Sequence, residues 1–235
     1  MKKILLLLIS IILLSDGYCQ SSEYSFRLNL GLFSFSGQSS ESTTFINYDL
    51  DKNDGYTNNP YGSKMGLSYG ISANISRISK HNIIFGIDLG YELLRSKIDI
   101  NGVWESGGIK NEMVAANGHT SLNYSFINTF PYFGYRFTIS KINIDLSGGI
   151  DFAYCLSAIE NGSATSETRD YNTKRDRKTI DTELRPRIQL GLYSGNIGIY
   201  FGYSKGLRNY KSGYDGGINV AFGNLIRFGL KYRLK

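Results

Sequence analysis

The chain has 235 residues, with 26 Lys and Arg against 20 Asp and Glu, 27 Gly, 18 Tyr and only 3 Pro. That length suits one domain, and a net charge of +6 without a basic run interleaved with aromatics excludes a surface that tracks a phosphate backbone. Two cysteines, of which only Cys155 follows residue 19, exclude a disulfide framework.

Met1-Lys2-Lys3 precedes an apolar run over residues 4–14, and Gly17 and Cys19 place small residues before Gln20. This is the pattern of a secretory signal peptide over residues 1–19, cut before Gln20, with 20–235 as the exported domain. Cys19 raises the alternative of a lipid-anchored terminus, against which Tyr18 stands where such a signal wants a small residue. The run is too short for a transmembrane helix and no later run approaches that length, so any span is made of strands.

From residue 26 the chain alternates with period two, the signature of strands whose faces live in different environments. Phe26, Leu28, Leu30 and Leu32 fall on one face and Arg27, Asn29, Gly31 and Phe33 on the other. A long polar connection over 36–64 leads to a second strand, Met65 to Ser76, and a tight turn at 79–82 to a third, whose inward face includes Asp88 and Glu92. A second long connection, 96–121, precedes the strand with Ile127, Phe133, Tyr135, Phe137 and Ile139 on one face and Arg136 on the other. Ser140-Lys141 turns the chain into a fifth strand, with Asp145, Asp151 and Cys155 inward. A third, charged connection over 157–183 leads to a sixth strand with Arg185 and Arg187 inward, and Ser194-Gly195-Asn196 to a seventh over 197–207. A polar loop around 210–217 precedes the last strand, where Ile226, Phe228, Leu230, Tyr232 and Leu234 oppose Arg227, Lys231 and Arg233. Pro131 and Pro186, which cannot donate to a ladder, are expected at bulges or mouth-side strand ends.

Eight alternating segments whose connections are long and short in turn describe an all-β, eight-stranded antiparallel up-and-down transmembrane barrel. Such a chain would sit in a Gram-negative outer membrane, with short periplasmic turns, periplasmic termini and long extracellular loops. The rival is a soluble lipocalin-type barrel with its apolar face inward. Loops long on one side only, and a second face of Gly, Ser, Asn, Arg and Asp, favour the membrane.

The run Phe130-Pro131-Tyr132-Phe133-Gly134-Tyr135-Arg136-Phe137, the turn Ser140-Lys141 and the segments Gln189-Leu190-Gly191-Leu192 and Gly202 to Asn209 resemble the PorT-like outer-membrane barrel domain of Bacteroidetes. The likeness covers nearly the whole exported part. It implies a small barrel of OmpA/OmpX type and, through the family's association with transport, an accessory role in secretion. The last strand ends in Leu234-Lys235 where that family usually closes on an aromatic residue.

Eight strands leave a lumen that side chains can fill. Arg27, Arg136, Arg185, Arg187, Arg227, Lys231 and Arg233 would meet Asp88, Glu92, Asp145 and Asp151 there in cross-lumen ion pairs, since unpaired buried charges are costly. Counting from the short turns groups Arg136, Asp145 and Lys231 in one layer, Asp88, Arg187 and Arg227 in the next, and Glu92, Asp151 and Arg185 above. This reads as a solid structural plug in preference to a gated pore.

Catalysis has little to draw on: His81 and His119 are the only near-neutral bases. His119-Thr120-Ser121 has the His-x-Ser spacing that resembles barrel-borne lipid A deacylases, but the same strand offers no acid. Residues 49–55 alternate oxygen ligands as a calcium loop does, yet Gly55 falls one place late and Pro60 stands where a bidentate Glu belongs, so a solvated acidic tip is the better reading. Tyr56, Trp104, Arg175, Arg177 and Lys178 form a candidate loop contact surface, the cations with lipopolysaccharide phosphates in reach. The expectation is therefore a non-enzymatic barrel without cofactor or metal. Its partners would be outer-membrane lipid and lipopolysaccharide, the machinery that assembles barrels, and a protein partner that the sequence leaves unnamed.

Overall fold

The structure, a computed structural model, describes residues 19–108, 110–213 and 219–234. The signal-peptide reading falls almost entirely on residues outside this set. The described residues form eleven strands: β1 Cys19–Ser36, β2 Thr43–Asp49, β3 Asp54–Thr57, β4 Lys64–Ser79, β5 Ile83–Gly107, β6 Lys110–Ile139, β7 Ile142–Thr165, β8 Asp170–Asp176, β9 Thr182–Ser194, β10 Ile197–Lys205 and β11 Phe222–Leu234.

Eight of them close a ring. β1 pairs with β4, β4 with β5, β5 with β6, β6 with β7, β7 with β9, β9 with β10, β10 with β11, and β11 returns to β1. Every junction is antiparallel, so no spanning edge is left unpaired. The three short turns each contain one residue in the left-handed region: Asn82 (φ 62°), Ser140 (φ 55°) and Gly195 (φ 57°).

The alternation places apolar side chains outside. Phe85, Leu89, Phe133, Ile188, Phe201 and Leu230 are exposed, while Arg27, Asp88, Asp151 and Arg227 on the opposite face are 0–2 % exposed. A soluble barrel has the reverse polarity; an exterior of this kind suits hydrocarbon. Tyr24, Tyr135 and Tyr232 ring the short-turn end of this belt, and Tyr69, Tyr91, Tyr154 and Tyr203 the other, as interfacial girdles do. In β11 the belt runs from residue 226 to 234, within the ~9–11 residues a tilted strand needs to cross.

Pro131 sits inside β6 opposite Ile87, and the β6–β7 register is the same on either side of it, Thr129↔Phe152 and Tyr132↔Gly149. It therefore interrupts one ladder without a bulge. Pro186 lies one residue beyond the last β9–β10 pair, Arg187↔Ser204, at the mouth-side end of that ladder.

The long connections are not open loops, which corrects the sequence reading. Residues 96–121 belong almost wholly to β5 and β6, which rise past the belt as one hairpin whose last pair is Gly107↔Lys110. β7 also continues upward and takes β8 as an antiparallel partner. The β2–β3 hairpin docks on the upper half of β5, with β2 parallel to it. The result is an upward extension of the same sheet above the barrel, in the order β3-β2-β5-β6-β7-β8. It encloses its own small core of Ile46, Tyr48, Ile100, Val103, Ala116, Ala164 and Tyr171.

Candidate functional site: a sealed lumen under a stitched cap

Inward side chains fill the barrel in three charged tiers. In the lowest, Arg136 is gripped by two carboxylates: its Nε and Nη2 donate to Asp145 (2.6 and 2.8 Å), and Nη1 and Nη2 to Glu23 (2.6 and 3.1 Å). Arg233 approaches Glu23 at 3.4 Å and lies over the Tyr193 ring. Glu23 was absent from the sequence set, although it is in phase with Arg27 and continuing the alternation of β1 downward finds it.

In the middle tier Arg27 donates to Asp88 (2.5 Å), and Asn74 donates to the other oxygen of that carboxylate (2.6 Å). Arg187 lies 4.0 Å from Asp88, donates to Gln189 and sits over the Phe130 ring. Lys231 also belongs here, above the Tyr193 ring at 4.9 Å, with no carboxylate within 4.0 Å among the described residues. The cross-lumen ion pair expected of Lys231 is therefore not formed within that distance, although residue counting placed it in one layer with Arg136 and Asp145.

In the upper tier two guanidinium groups share two carboxylates. Arg227 donates to Glu92 (2.7 and 3.0 Å), Asp151 (2.8 Å) and Ser204 (2.6 Å), while Arg185 reaches Glu92 (3.0 Å) and Asp151 (2.8 Å). Arg227 thus joins Glu92 and Asp151, not Asp88 as residue counting suggested. Barrel strands are tilted and staggered, so equal counts from the turns do not mean equal height. Its lateral partners, Gly31 and Gly202, also leave a long side chain room to climb.

Above these tiers an aromatic plug crosses the mouth. Phe35 packs edge-on against Phe33, Tyr61, Tyr124 and Tyr210, and the same cluster takes in Leu94, Leu122, Phe126, Cys155 and Ile180. Tyr61, Ile180 and Tyr210 come from three different connections that fold inward. Buried Glu183 holds the last of these by accepting the backbone N–H groups of Leu207 (3.0 Å) and Arg208 (3.1 Å). At the opposite end Ile78, Ile84, Phe130 and Tyr132 make a smaller apolar cluster.

The cap is stitched where its sheet is open, between β3 and β8. Fully buried Glu160 accepts from the Thr57 N–H (2.6 Å), Thr173 Oγ1 (3.1 Å) and Arg177 Nε (2.6 Å), and Arg177 Nη2 donates to the Thr57 carbonyl (2.6 Å). Tyr171 donates to Glu105 (2.7 Å), and burial lifts its phenol above the ordinary range, which keeps it a donor. Of the candidate contact residues, Arg177 is therefore committed to the seam. Lys178 pairs with Asp181 and lies over Tyr154. Tyr56 and Arg175 stay half open and stacked, with Arg175 paired to Asp54 (3.1 Å). Trp104 is exposed on the opposite side of the cap, beside Met113.

The acidic tip is occupied by its own chain. Asp49 accepts from the Lys52 amide and ammonium, which holds its carboxyl below the usual range, and Asp51 accepts from Gly108. Among the described residues no cluster of His, Cys, Asp and Glu suits a metal.

His119 and Ser121 lie on the outer face of β6, and Asp99 of β5 stands directly opposite His119. This acid comes from the β5–β6 register, which the sequence of β6 alone does not carry. The three do not form a relay: Asp99 pairs with Lys64, Ser121 Oγ faces the Asn161 carbonyl and Asn123, and His119 makes no hydrogen bond among the described residues.

No family model and no curated protein matches the chain, so the PorT-like resemblance has no family match behind it. Similar solved structures include Neisserial surface protein A (12 % identity, TM-score 0.39, covering 92 % of this chain and all of that one). Ail, the attachment invasion locus protein of Yersinia pestis, shows 9 % identity, TM-score 0.38 and the same coverage. The outer-membrane protease OmpT of Escherichia coli shows 12 % identity and TM-score 0.43, covering 90 % of this chain and 97 % of that one. By name these are a surface protein, an attachment protein and a protease, and no activity of this chain follows from them.

Proposed function

We propose that the protein is a non-enzymatic outer-membrane barrel whose work is to hold a folded cap at the cell surface, with long connections extracellular and termini periplasmic. The observation that carries this reading is the seal: three tiers of cross-lumen ion pairs and an aromatic plug stand between the two ends of the barrel. Buried charges at that density specify and stiffen a barrel interior, and a filled lumen leaves the cap as the part that meets other molecules. Its partners in this reading are outer-membrane lipid, lipopolysaccharide and, during insertion, the assembly machinery.

The test is folding into bilayers followed by single-channel recording. Heat-modifiable gel migration with no conductance supports the sealed barrel, and steady conductance overturns it. Protease applied to whole cells should cut only sites in the cap if the orientation is right. The accessory role in secretion rests on the strand resemblance and is tested by deletion, since unchanged secretion removes it. An enzymatic reading is tested by Ser121→Ala, which in a non-enzymatic protein leaves the lipid profile unaltered.

A further inference from the structure

Just above the apolar belt, on the outer wall of β4 and β5, three cations stand together. Lys64 and Lys97 face each other directly across the two strands, and Arg95 precedes Lys97 by one outward position. Like charges in directly opposed positions are destabilising. Among the described residues Asp99 is the one carboxylate within ion-pair distance of any of them, and it pairs with Lys64. Arg95 uses only its Nε, on Asn123 (2.6 Å), and Lys97 is exposed with no partner among the described residues. The wall therefore carries surplus positive charge at the height where lipid headgroups begin.

Below it the same strands meet a second feature. Tyr69, Ile71 and Tyr91 form the β4–β5 rim of an apolar concavity of about 910 Å³ that runs on across β1, β11, β10 and β9 past Leu30, Leu230 and Ile199. Four to six residues separate Tyr91 from Arg95 and Lys97, about 13–20 Å along the strand at the usual rise. Met65, Leu67 and Leu93 pave the interval.

We propose that this wall is a binding site for a phosphorylated membrane lipid, with the phosphate between Arg95, Lys97 and Lys64 and an acyl chain lying in the concavity. A phosphate accepts charge-assisted hydrogen bonds from all three cations, turning the Lys64–Lys97 repulsion into two attractive contacts. The apolar concavity selects a lipid over a free anion. The site rests on the membrane reading above and goes beyond it by naming a ligand class and the residues that hold it.

The test is native mass spectrometry of protein folded in neutral detergent and offered dimyristoyl phosphatidylglycerol and phosphatidylcholine together. Retention of the phosphatidylglycerol should be favoured by about five-fold for each unneutralised cation near the surface. The preference should vanish in the Arg95→Gln/Lys97→Gln double variant and persist in a Lys174→Gln/Arg175→Gln control altered only on the cap. Equal retention of both lipids by the native protein, or equal loss in the control, overturns the site. Displacement of the lipid by inorganic phosphate alone overturns the lipid assignment. Failure to insert into bilayers sinks the membrane reading, whereas insertion with indifferent lipid retention sinks only this site.

Discussion

Lys231 and Asp88 share a tier of the lumen and should respond to mutation in opposite directions. Lys231 is 2 % exposed and, among the described residues, lacks a carboxylate within 4.0 Å, so its desolvation is poorly offset. Lys231→Met keeps the stem and removes the charge; it should leave the barrel as stable or more stable by about 1–3 kcal/mol, read by urea unfolding in lipid vesicles. Asp88→Asn instead strips Arg27 of its counter-charge and should cost about 3–5 kcal/mol in the same assay. Which residues point inward was legible in the sequence, because a period of two leaves no freedom. How they pair was not, as Arg227 shows: reach along the barrel depends on strand stagger and on the bare space beside Gly31 and Gly202.

The spanning strands and the cap strands share a backbone geometry but differ in how plainly they announce it. Between Ile83 and Tyr91 the outer face meets hydrocarbon and the inner face polar groups, so alternation has full contrast. Between Ser96 and Ser121 the outer face meets water and the inner face is a small core mixed with Thr120, Glu105 and Glu160. Both faces become partly polar there, and the segment reads as a loop although its ladder is unbroken apart from one bulge near Gly102. The turns carry a sharper prediction. Ser140 occupies a left-handed conformation that costs an L-residue about 1 kcal/mol. Ser140→Gly should recover about that amount, and Gly195→Ala in the sister turn should lose it, both read as shifts in the urea midpoint. At the cap seam, Glu160→Gln leaves Arg177 buried without its acid and should cost about 3 kcal/mol of local stability. The readout is faster proteolysis of residues 157–183 in a barrel that still migrates as folded.

At the scale of the molecule, seven inward cations among the described residues (Arg27, Arg136, Arg185, Arg187, Arg227, Lys231, Arg233) face six inward carboxylates (Glu23, Asp88, Glu92, Asp145, Asp151, Glu183). The interior is close to neutral and internally bonded, so loosening the plug alone should not open a pore. Tyr61→Ala with Tyr210→Ala is expected to lower stability while bilayer conductance stays at baseline, because the tiers beneath still block the path. The same plug encloses Cys155, whose thiol is fully buried among Phe126, Ala153 and Ala158. The connections that supply Tyr61, Ile180 and Tyr210 fold inward over the cluster that holds it. A maleimide reagent should therefore modify Cys155 throughout insertion and cease to do so when the mouth closes. The chain thus contains its own clock for the last step of assembly, readable without adding a probe.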